Sequence, residues 1–343
     1  MQIFHDKRQD FTWKSRKISY TETGFIYSEM RSFWQSSLWG EILSLSWQAS
    51  EVFFFSRDGK KDSLDSDDVV LVEIRLVWLG MYGAFLLGGT LQDESIYHSL
   101  VLFLREKWII FLQIEPLDGD CPFWKDSHYR SFIFPYTRVI DLTLPLDTIL
   151  ADMSEKGRYN IRLWMRRGVE VRKVALTPEN IETFYRMVEE TTERDGFAHN
   201  SRAYYEHFLI WLEHHNAGGL YFAFFRDTVI AASILVLTEE RAIYYYGASV
   251  SDDAMRKQKG PEALQWQMIQ DAKAFGSHVY DFLGVANPDD PHDSLQGVTR
   301  FKEKFGGTIV KFPSKKITIL SWKGHIFLWI FSLKKYFKRI IHS

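Results

Sequence analysis

From residue 152 to residue 283 the chain alternates between helix-like and strand-like segments in an order that few folds accommodate. The predicted helices cover residues 152–167, 178–194, 202–215 and 261–275. The predicted strands, which are apolar and rich in β-branched and aromatic residues, cover residues 169–174, 220–225, 228–237, 241–248 and 279–283. Because three of these strands follow one another directly, the segment predicts an α+β (α/β) domain with a mixed, mostly antiparallel sheet flanked by helices.

The first half of the chain shows a vaguer version of the same alternation. A Trp- and Ser-rich helix-like stretch begins at residue 33, strands are predicted over residues 52–55, 69–77 and 108–114, and a polar loop is predicted over residues 57–68. A chain of 343 residues exceeds the size of one ordinary core. The sequence therefore predicts two domains, with a structural duplication as a plausible origin.

The net charge limits how the protein can contact nucleic acid, and the cysteine content indicates its cellular compartment. The formal net charge is −2, so any contact with nucleic acid must come from a local basic patch. Cys121 is the only cysteine, which excludes an intramolecular disulfide and favours a reducing compartment. The N-terminus lacks an apolar signal core, and no apolar run approaches the ~20 residues of a spanning helix. We therefore expect a cytoplasmic protein.

One segment supplies such a basic patch. Residues 156–173 contain seven Lys or Arg side chains against a single acid, Glu170. Arg158, Arg162 and Arg166 are spaced four residues apart, so they share one face of the predicted helix. Guanidinium groups in a row can hold phosphates of a nucleic acid or a nucleotide. The alternative is a solvated face whose charges pair with neighbouring acids.

Four short motifs follow in the second half: Glu193-Arg-Asp-Gly-Phe197, the tyrosine run at 244–246, Tyr280-Asp-Phe-Leu-Gly284 and Arg300-Phe-Lys-Glu-Lys-Phe-Gly-Gly307. Alternate residues of a strand point to one side, so Tyr244 and Tyr246 are expected to line a groove together while Tyr245 packs behind them. Tyrosines on a strand can equally belong to a core.

Taken together and in this order, the motifs resemble the FemABX family, strongly over residues 141–312. The resemblance is weaker over residues 30–116, where Trp34-Gln35, Trp39 and Ile114-Glu115-Pro116 carry it. It implies two GNAT-like acyltransferase domains, residues 1–142 with a returning C-terminal helix at 316–343, and residues 143–315. It also implies a monomeric enzyme of cell-wall biogenesis and cell shape. Such an enzyme moves Gly, Ala or Ser from aminoacyl-tRNA to the stem peptide of a UDP-linked or lipid-linked muropeptide.

The resemblance assigns roles to individual residues. Phe301 and Lys302 serve the aminoacyl-tRNA side, and the Lys302 ammonium is suited to stabilise the developing oxyanion. Glu115 is the candidate for deprotonating or orienting the amine, or else an ordinary acid at a strand end. The precursor is expected to contact three tyrosines, Tyr204, Tyr244 and Tyr246.

Two positions depart from the family pattern. Asn200 stands where relatives often have an arginine, and Glu41 stands near Trp39 where relatives have a lysine. Both changes remove positive charge from the implied diphosphate site. The departures predict that Arg158 or Arg162 holds the precursor instead, or that the precursor is not the usual one.

The C-terminal segment 322–343 interleaves aromatic residues with lysine and arginine. Such a helix can lie on an anionic membrane surface, at the inner face of the membrane, or it can pack back on the first domain. Membrane binding and packing on the first domain are compatible with each other.

Other functions stay open at this stage. No Walker loop, dinucleotide-binding glycine pattern or convincing metal-ligand spacing is present, so no metal and no cofactor besides aminoacyl-tRNA are predicted. An acyl-CoA-dependent GNAT-like enzyme would need free amides at a helix N-terminus, for which Gly260-Pro261 is the only candidate. A non-catalytic protein of the membrane surface is the third alternative.

Overall fold

The computed structural model describes residues 2–5, 12–17, 32–45, 49–57, 69–91, 93–119 and 124–341. Cys121 and nearly all of the polar loop predicted over residues 57–68 lie outside these ranges. The chain forms two compact units. Unit 1 contains Met1–Pro135 and Phe312–Ser343, and unit 2 contains Tyr136–Lys311.

Fifteen strands and ten α-helices make up the described part of the chain. The strands are β1 Gln2–His5, β2 Thr12–Lys17, β3 Glu51–Arg57, β4 Val69–Trp78, β5 Met81–Leu87, β6 Phe111–Glu115, β7 Lys125–Asp126, β8 Tyr136–Asp141, β9 Val169–Lys173, β10 Gly218–Phe225, β11 Thr228–Leu237, β12 Arg241–Ser249, β13 Val279–Gly284, β14 Thr308–Lys311 and β15 Lys316–Ile319. The helices are α1 Ser37–Leu45, α2 Glu94–Glu106, α3 Leu146–Asp152, α4 Glu155–Arg166, α5 Pro178–Asp195, α6 Arg202–His214, α7 Asp253–Arg256, α8 Gly260–Phe275, α9 Gln296–Lys302 and α10 Trp322–Ile341.

Unit 1 is built on an eight-stranded sheet in the order β1-β2-β3-β4-β5-β6-β15-β7. Among its described strands the one parallel pair is β5 with β6, with Ala84 opposite Leu112 and Leu87 opposite Glu115. Asp93 caps α2, because its carboxylate accepts hydrogen bonds from the Ser95 and Ile96 amides. A core that includes Phe53, Phe55 and Phe103 lies between this helix and the sheet.

Unit 2 is built on a seven-stranded sheet in the order β14-β8-β13-β12-β11-β10-β9. The centre is antiparallel, as the sequence predicts, and β12 and β13 form the one parallel pair. This pair matches Arg241 with Val279 and ends with Ile243 opposite Asp281. Beyond that point the two strands separate, which opens the sheet at its middle.

The helix boundaries of unit 2 follow from local chemistry. Thr177 caps α5 by accepting a hydrogen bond from the Asn180 amide, and Pro178 occupies the first helical position. Gly196 ends α5 with a φ of +73°, a left-handed conformation that costs glycine little. The helix predicted over residues 152–167 is α4, which begins at Glu155 because Ser154 caps it by accepting a hydrogen bond from the Gly157 amide.

The two units divide after Pro135 and before Phe312, rather than at residues 142 and 316 as expected from the resemblance. The reason is that β8 pairs with β13 and β14 in the second sheet. Ile140 of β8 also belongs to the core of unit 2. The segment after Phe312 returns to unit 1, where β15 lies between β6 and β7.

Helix α10 packs against the sheet of unit 1. The Phe327 ring stacks on the Phe111 ring at 5.8 Å between centroids, and Phe331 lies 4.7 Å from Tyr129. Among the described helices, none combines the length and apolar character that crossing a bilayer requires.

Candidate active site

Lys302, the last residue of α9, is buried in unit 2 beside the point where β12 and β13 separate. Its Nζ donates hydrogen bonds to the carbonyl oxygens of Gly284 at 2.6 Å and Leu283 at 3.3 Å. An ammonium group carries three N–H donors. Two carbonyls therefore leave a third donor that can be directed to a reacting oxygen.

Asp281 shapes the turn that carries these two carbonyls. One carboxylate oxygen accepts hydrogen bonds from the Leu283 amide, at 2.7 Å, and from the Thr137 hydroxyl. The other accepts from Arg241 at 2.5 Å. Leu283 has a φ of +56°, an uncommon conformation for a leucine, which these contacts hold in place. Sequence reasoning missed the role of Asp281, although an acid in the apolar run 279–283 was a usable signal.

Burial lowers the pKa of Lys302 to about 7, because removal of water disfavours the ammonium form. The negative charge of Asp281 opposes this shift. A group with a pKa near neutrality exists in both protonation states under ordinary conditions, so Lys302 can donate a proton or a hydrogen bond and recover it.

Phe301 precedes Lys302 and lines a surface pocket of about 430 Å³ between the start of α4 and α9. We call it the Phe301 pocket, and its lining residues are Ser154, Lys156, Gly297, Arg300, Phe301, Glu303 and Lys304. Three of these side chains are cationic and one is anionic. The pocket therefore combines an aromatic ring with positive charge, a combination suited to a base and its phosphates.

A second cluster joins the α5–α6 connection to β12. The Asn200 side-chain amide donates to the Tyr246 hydroxyl at 2.8 Å, and the Tyr246 hydroxyl lies 3.3 Å from that of Tyr204. Burial raises the pKa of both tyrosines well above the usual value, so both are neutral donors at ordinary pH. The structure thus brings together three of the predicted precursor contacts.

Tyr244 does not share this face, and the predicted groove of Tyr244 and Tyr246 is wrong. A β-bulge at Tyr245 interrupts the alternation, since Ile234 pairs with Tyr246 while its neighbour Leu235 pairs with Tyr244. The Tyr246 ring packs 4.9 Å from Tyr205 of α6. Tyr244 instead packs against the core of unit 2 on the other face, with Phe282 at 6.4 Å.

The predicted arginine face divides into two environments. Arg158 is half-buried and its guanidinium donates to the carbonyls of Ala151, at 3.0 Å, and Met153, at the end of α3. Arg162 is exposed one turn further along α4. Arg158 therefore joins α3 to α4, whereas Arg162 is the more accessible of the two for a phosphate.

Glu115 and Glu41 both lie in unit 1. Glu115 is buried at the end of β6 and accepts hydrogen bonds from the Ile133 amide at 2.7 Å, the Phe132 amide at 2.9 Å and the Gln113 side chain at 2.7 Å. Burial raises its pKa, and these backbone contacts oppose the rise. The carboxylate is therefore engaged in holding the 132–133 segment. Glu41 is half-buried on α1.

The N-terminus of α8 is the position where an acyl-CoA pyrophosphate would need free amides. Glu262 in its first turn is buried, and its carboxylate accepts from the Asn160 side-chain amide and from Lys304 Nζ, both at 2.9 Å. These contacts lie at the first turn of α8, where Pro261 already removes one amide donor. Sequence reasoning weighed only Pro261 here and missed Glu262. Among the described residues, no His, Cys, Asp and Glu side chains group as metal ligands.

The two helix-flanked sheets, each with one parallel strand pair, constitute GNAT-like folds. This is the two-domain acyltransferase fold that the motifs predict. A model of the FemAB family matches residues 128–215 and 213–315, more than half of the chain. The chain belongs to the FemAB family, which confirms the resemblance seen in the motifs. No curated protein sequence matches the chain significantly.

Solved structures share the architecture at low sequence identity. FemX is 16% identical, with a TM-score of 0.69 over 84% of this chain and 92% of its own. The C-terminal domain of a putative lysylphosphatidylglycerol synthetase from Agrobacterium fabrum is 14% identical, with a TM-score of 0.55 over 87% and 91%. L-PGS from Bacillus licheniformis is 15% identical, with a TM-score of 0.50 over 77% and 85%. At these identities the likeness concerns the fold.

Proposed function

We propose that this protein transfers an amino acid from aminoacyl-tRNA to the stem-peptide amine of a peptidoglycan precursor. The observation that carries the proposal is the buried Lys302 amine, held by two carbonyls with one further donor and a pKa of about 7. Membership of the FemAB family supports the reaction class.

The reaction needs few groups, because the ester of aminoacyl-tRNA is already activated. The acceptor amine forms a bond to the ester carbonyl carbon, and the bond from that carbon to the ribose oxygen then breaks. The proton released by the amine ends on the ribose oxygen. Lys302 donates a hydrogen bond to the carbonyl oxygen as negative charge develops on it. No covalent enzyme intermediate and no cofactor besides aminoacyl-tRNA are required.

The Phe301 pocket is the proposed contact for the 3′ end of the tRNA. Phe301 offers a ring for base stacking, and Lys156 and Arg300 offer positive charge to phosphates. Because the whole chain carries a net charge of −2, attraction of RNA must be local. Lys156 of the pocket is the first residue of the basic segment 156–173, and Arg162 is exposed further along the same helix.

Tyr204, Tyr246 and Asn200 form the proposed contact for the muropeptide. Their hydroxyl and amide groups are neutral, so they can recognise peptide and sugar by hydrogen bonds but cannot neutralise a diphosphate. This matches the loss of positive charge at Asn200 and Glu41. We propose a monomer acting in the cytoplasm in cell-wall biogenesis and cell shape, with α10 as a peripheral membrane contact.

The test is a transfer assay with a pool of radiolabelled aminoacyl-tRNAs and either UDP-linked or lipid-linked muropeptide. Lys302→Ala is compared with Lys257→Ala, which removes an exposed lysine of the same unit. We expect label in the muropeptide with the parent protein and Lys257→Ala, and a loss of at least about a hundredfold with Lys302→Ala. The active tRNA identifies the amino acid.

One further acceptor and one further donor separate the alternative functions. Phosphatidylglycerol is included as acceptor, because the fold is shared with a putative lysylphosphatidylglycerol synthetase. Acyl-CoA is included as donor, although Pro261 removes one of the amides that its pyrophosphate would need. Transfer from acyl-CoA alone would overturn the proposal, and inactivity of the folded protein with every donor would indicate a non-catalytic binding protein.

A further inference from the structure

Helix α10 exposes an apolar stripe on the side that faces away from unit 1. Trp322 and Trp329 are 69% and 64% exposed, and Ile326 and Leu333 are exposed between and after them. The spacing of four, three and four residues places all four on one line along the helix. Exposed tryptophans in such a line are rare on a surface that contacts only water.

The stripe is additional to the packing face of the same helix. Gly324, Phe327 and Phe331 face unit 1, where Phe327 stacks on Phe111 and Gly324 lies against the Ile110 carbonyl. On a helix of 3.6 residues per turn, these positions lie about 180° from the exposed stripe. Core packing therefore explains the inner face and leaves the outer one without a structural role.

Two connections of unit 1 add exposed apolar residues beside α10. Leu79, at the tip of the β4–β5 hairpin, is 80% exposed, and Trp108, in the turn between α2 and β6, is 85% exposed. The hairpin adjoins α10 because the Trp78 ring lies 6.4 Å from Phe327. Trp108 is two residues before Ile110, whose carbonyl contacts Gly324. We call the α10 stripe, formed by Trp322, Ile326, Trp329 and Leu333, the apolar rim.

The charge of α10 indicates what covers this rim. Residues 322–341 contain no Asp or Glu and five basic residues, Lys323, Lys334, Lys335, Lys338 and Arg339. Lys334 lies over the Trp78 ring, next to the hairpin that carries Leu79. A second copy of the chain would bring like charges together, and protein interfaces are depleted of lysine. An anionic surface would instead attract the basic side chains of α10.

We propose that the apolar rim docks this protein on an anionic lipid bilayer, with α10 lying in the interface plane. Tryptophan favours the boundary between headgroups and acyl chains, and each cation near an anionic surface adds further attraction. The docking does not depend on the proposed transfer reaction, although it would bring the protein to a lipid-linked acceptor.

The test is cosedimentation of the full chain with vesicles, in the absence of tRNA and muropeptide. One set contains phosphatidylglycerol and phosphatidylcholine in equal parts, and the other contains phosphatidylcholine alone. We expect binding to the first set at low salt. The double variant Trp322→Gln with Trp329→Gln should lower partitioning by roughly tenfold or more. Lys334→Gln should lower it by about fivefold on the anionic vesicles only.

The matched control is Ile210→Gln, which changes an exposed apolar residue on a helix of unit 2. It should leave partitioning unchanged, and unchanged thermal unfolding of all variants verifies that each one folds. Equal binding to both vesicle sets, or equal binding by the tryptophan variant and the control, would overturn the proposal. The proposal would also be overturned if the parent protein were a dimer that does not bind vesicles and the tryptophan variant were a monomer. Because no substrate is present, these outcomes are separate from those of the transfer assay.

Discussion

At the scale of single residues, the chemistry of the site depends on how Lys302 is surrounded. A lysine on the surface would be charged at every ordinary pH and would orient little. Buried against the Gly284 and Leu283 carbonyls, its amine has a fixed direction and a pKa of about 7. Asp281 contributes twice, since it holds the turn and its charge keeps the pKa of Lys302 from falling further.

The pH dependence of transfer tests this role. If the ammonium form stabilises the oxyanion, kcat/KM should fall as pH rises through about 7, once the titration of the acceptor amine is accounted for. Lys302→Arg should remove this fall in kcat/KM, because arginine stays protonated. Asp281→Asn should move the fall to lower pH, because a neutral side chain no longer favours the Lys302 ammonium. A profile that is the same in all three proteins would contradict the assignment.

The stability of the folded protein should also depend on the protonation of Lys302. The unfolded chain binds a proton to Lys302 up to about pH 10.5, whereas the folded chain releases it near pH 7. Between these values the unfolded state binds more protons, so this residue makes the free energy of unfolding rise with pH. Lys302→Met should lack that contribution. Denaturant unfolding of both proteins across this pH range measures the difference, and parallel curves would contradict it.

At the scale of elements, the bulge in β12 decides which tyrosines meet. One inserted residue at Tyr245 turns Tyr246 towards α6 and Tyr244 towards the opposite core. The gap between β12 and β13 has the same kind of origin, because pairing ends at Ile243 and Asp281. A small irregularity in hydrogen-bond register therefore creates the tyrosine cluster, and the β12–β13 pairing ends just before the Leu283 and Gly284 carbonyls that hold Lys302.

Gly247 tests the placement of Tyr244. A Cβ at this position would come within 1.8 Å of the Tyr244 hydroxyl. Gly247→Ala should therefore displace that ring and cost about 1–3 kcal/mol of unfolding free energy. In a Tyr244→Leu background, which removes the obstructing ring end, the same substitution should cost clearly less. Thermal or denaturant unfolding of the four proteins gives the coupling, and additive effects would show that the two residues do not meet.

At the scale of the whole molecule, the return of the C-terminal segment completes unit 1. Strand β15 fills the place between β6 and β7, and α10 covers Phe111 and Tyr129. One helix thus has an inner face that stabilises the unit and an outer face available to a partner. The two faces should respond differently to substitution.

Phe327→Ala and Trp329→Gln form the corresponding pair of variants. Phe327 is buried against Phe111, so its truncation should lower the free energy of unfolding by about 3–5 kcal/mol. Trp329 is exposed, so its replacement should change that free energy by no more than about 0.5 kcal/mol. Denaturant unfolding followed by circular dichroism measures both. Similar losses for the two variants would contradict the division of α10 into an inner and an outer face.

Local sequence determined most of the fold of unit 2. Caps such as Thr177, the stop at Gly196 and the strand runs between residues 220 and 248 act over a few residues, so they can be read along the chain. The order of these elements, with the family motifs, also predicted the fold class, which is confirmed, and led to Lys302 as a candidate. The first half was harder to predict, because it carries fewer of the family motifs and because the strand between β6 and β7 comes from the C-terminal segment.

Tertiary structure alone decided how the candidate side chains are used. The bulge at Tyr245 depends on pairing with β11, the commitment of Glu115 depends on the 132–133 backbone, and the pKa of Lys302 depends on burial by several elements. Each of these effects joins residues far apart in the chain. The sequence by itself determined which chemical groups are present and in which elements, whereas packing determined which groups face one another and which are removed from water.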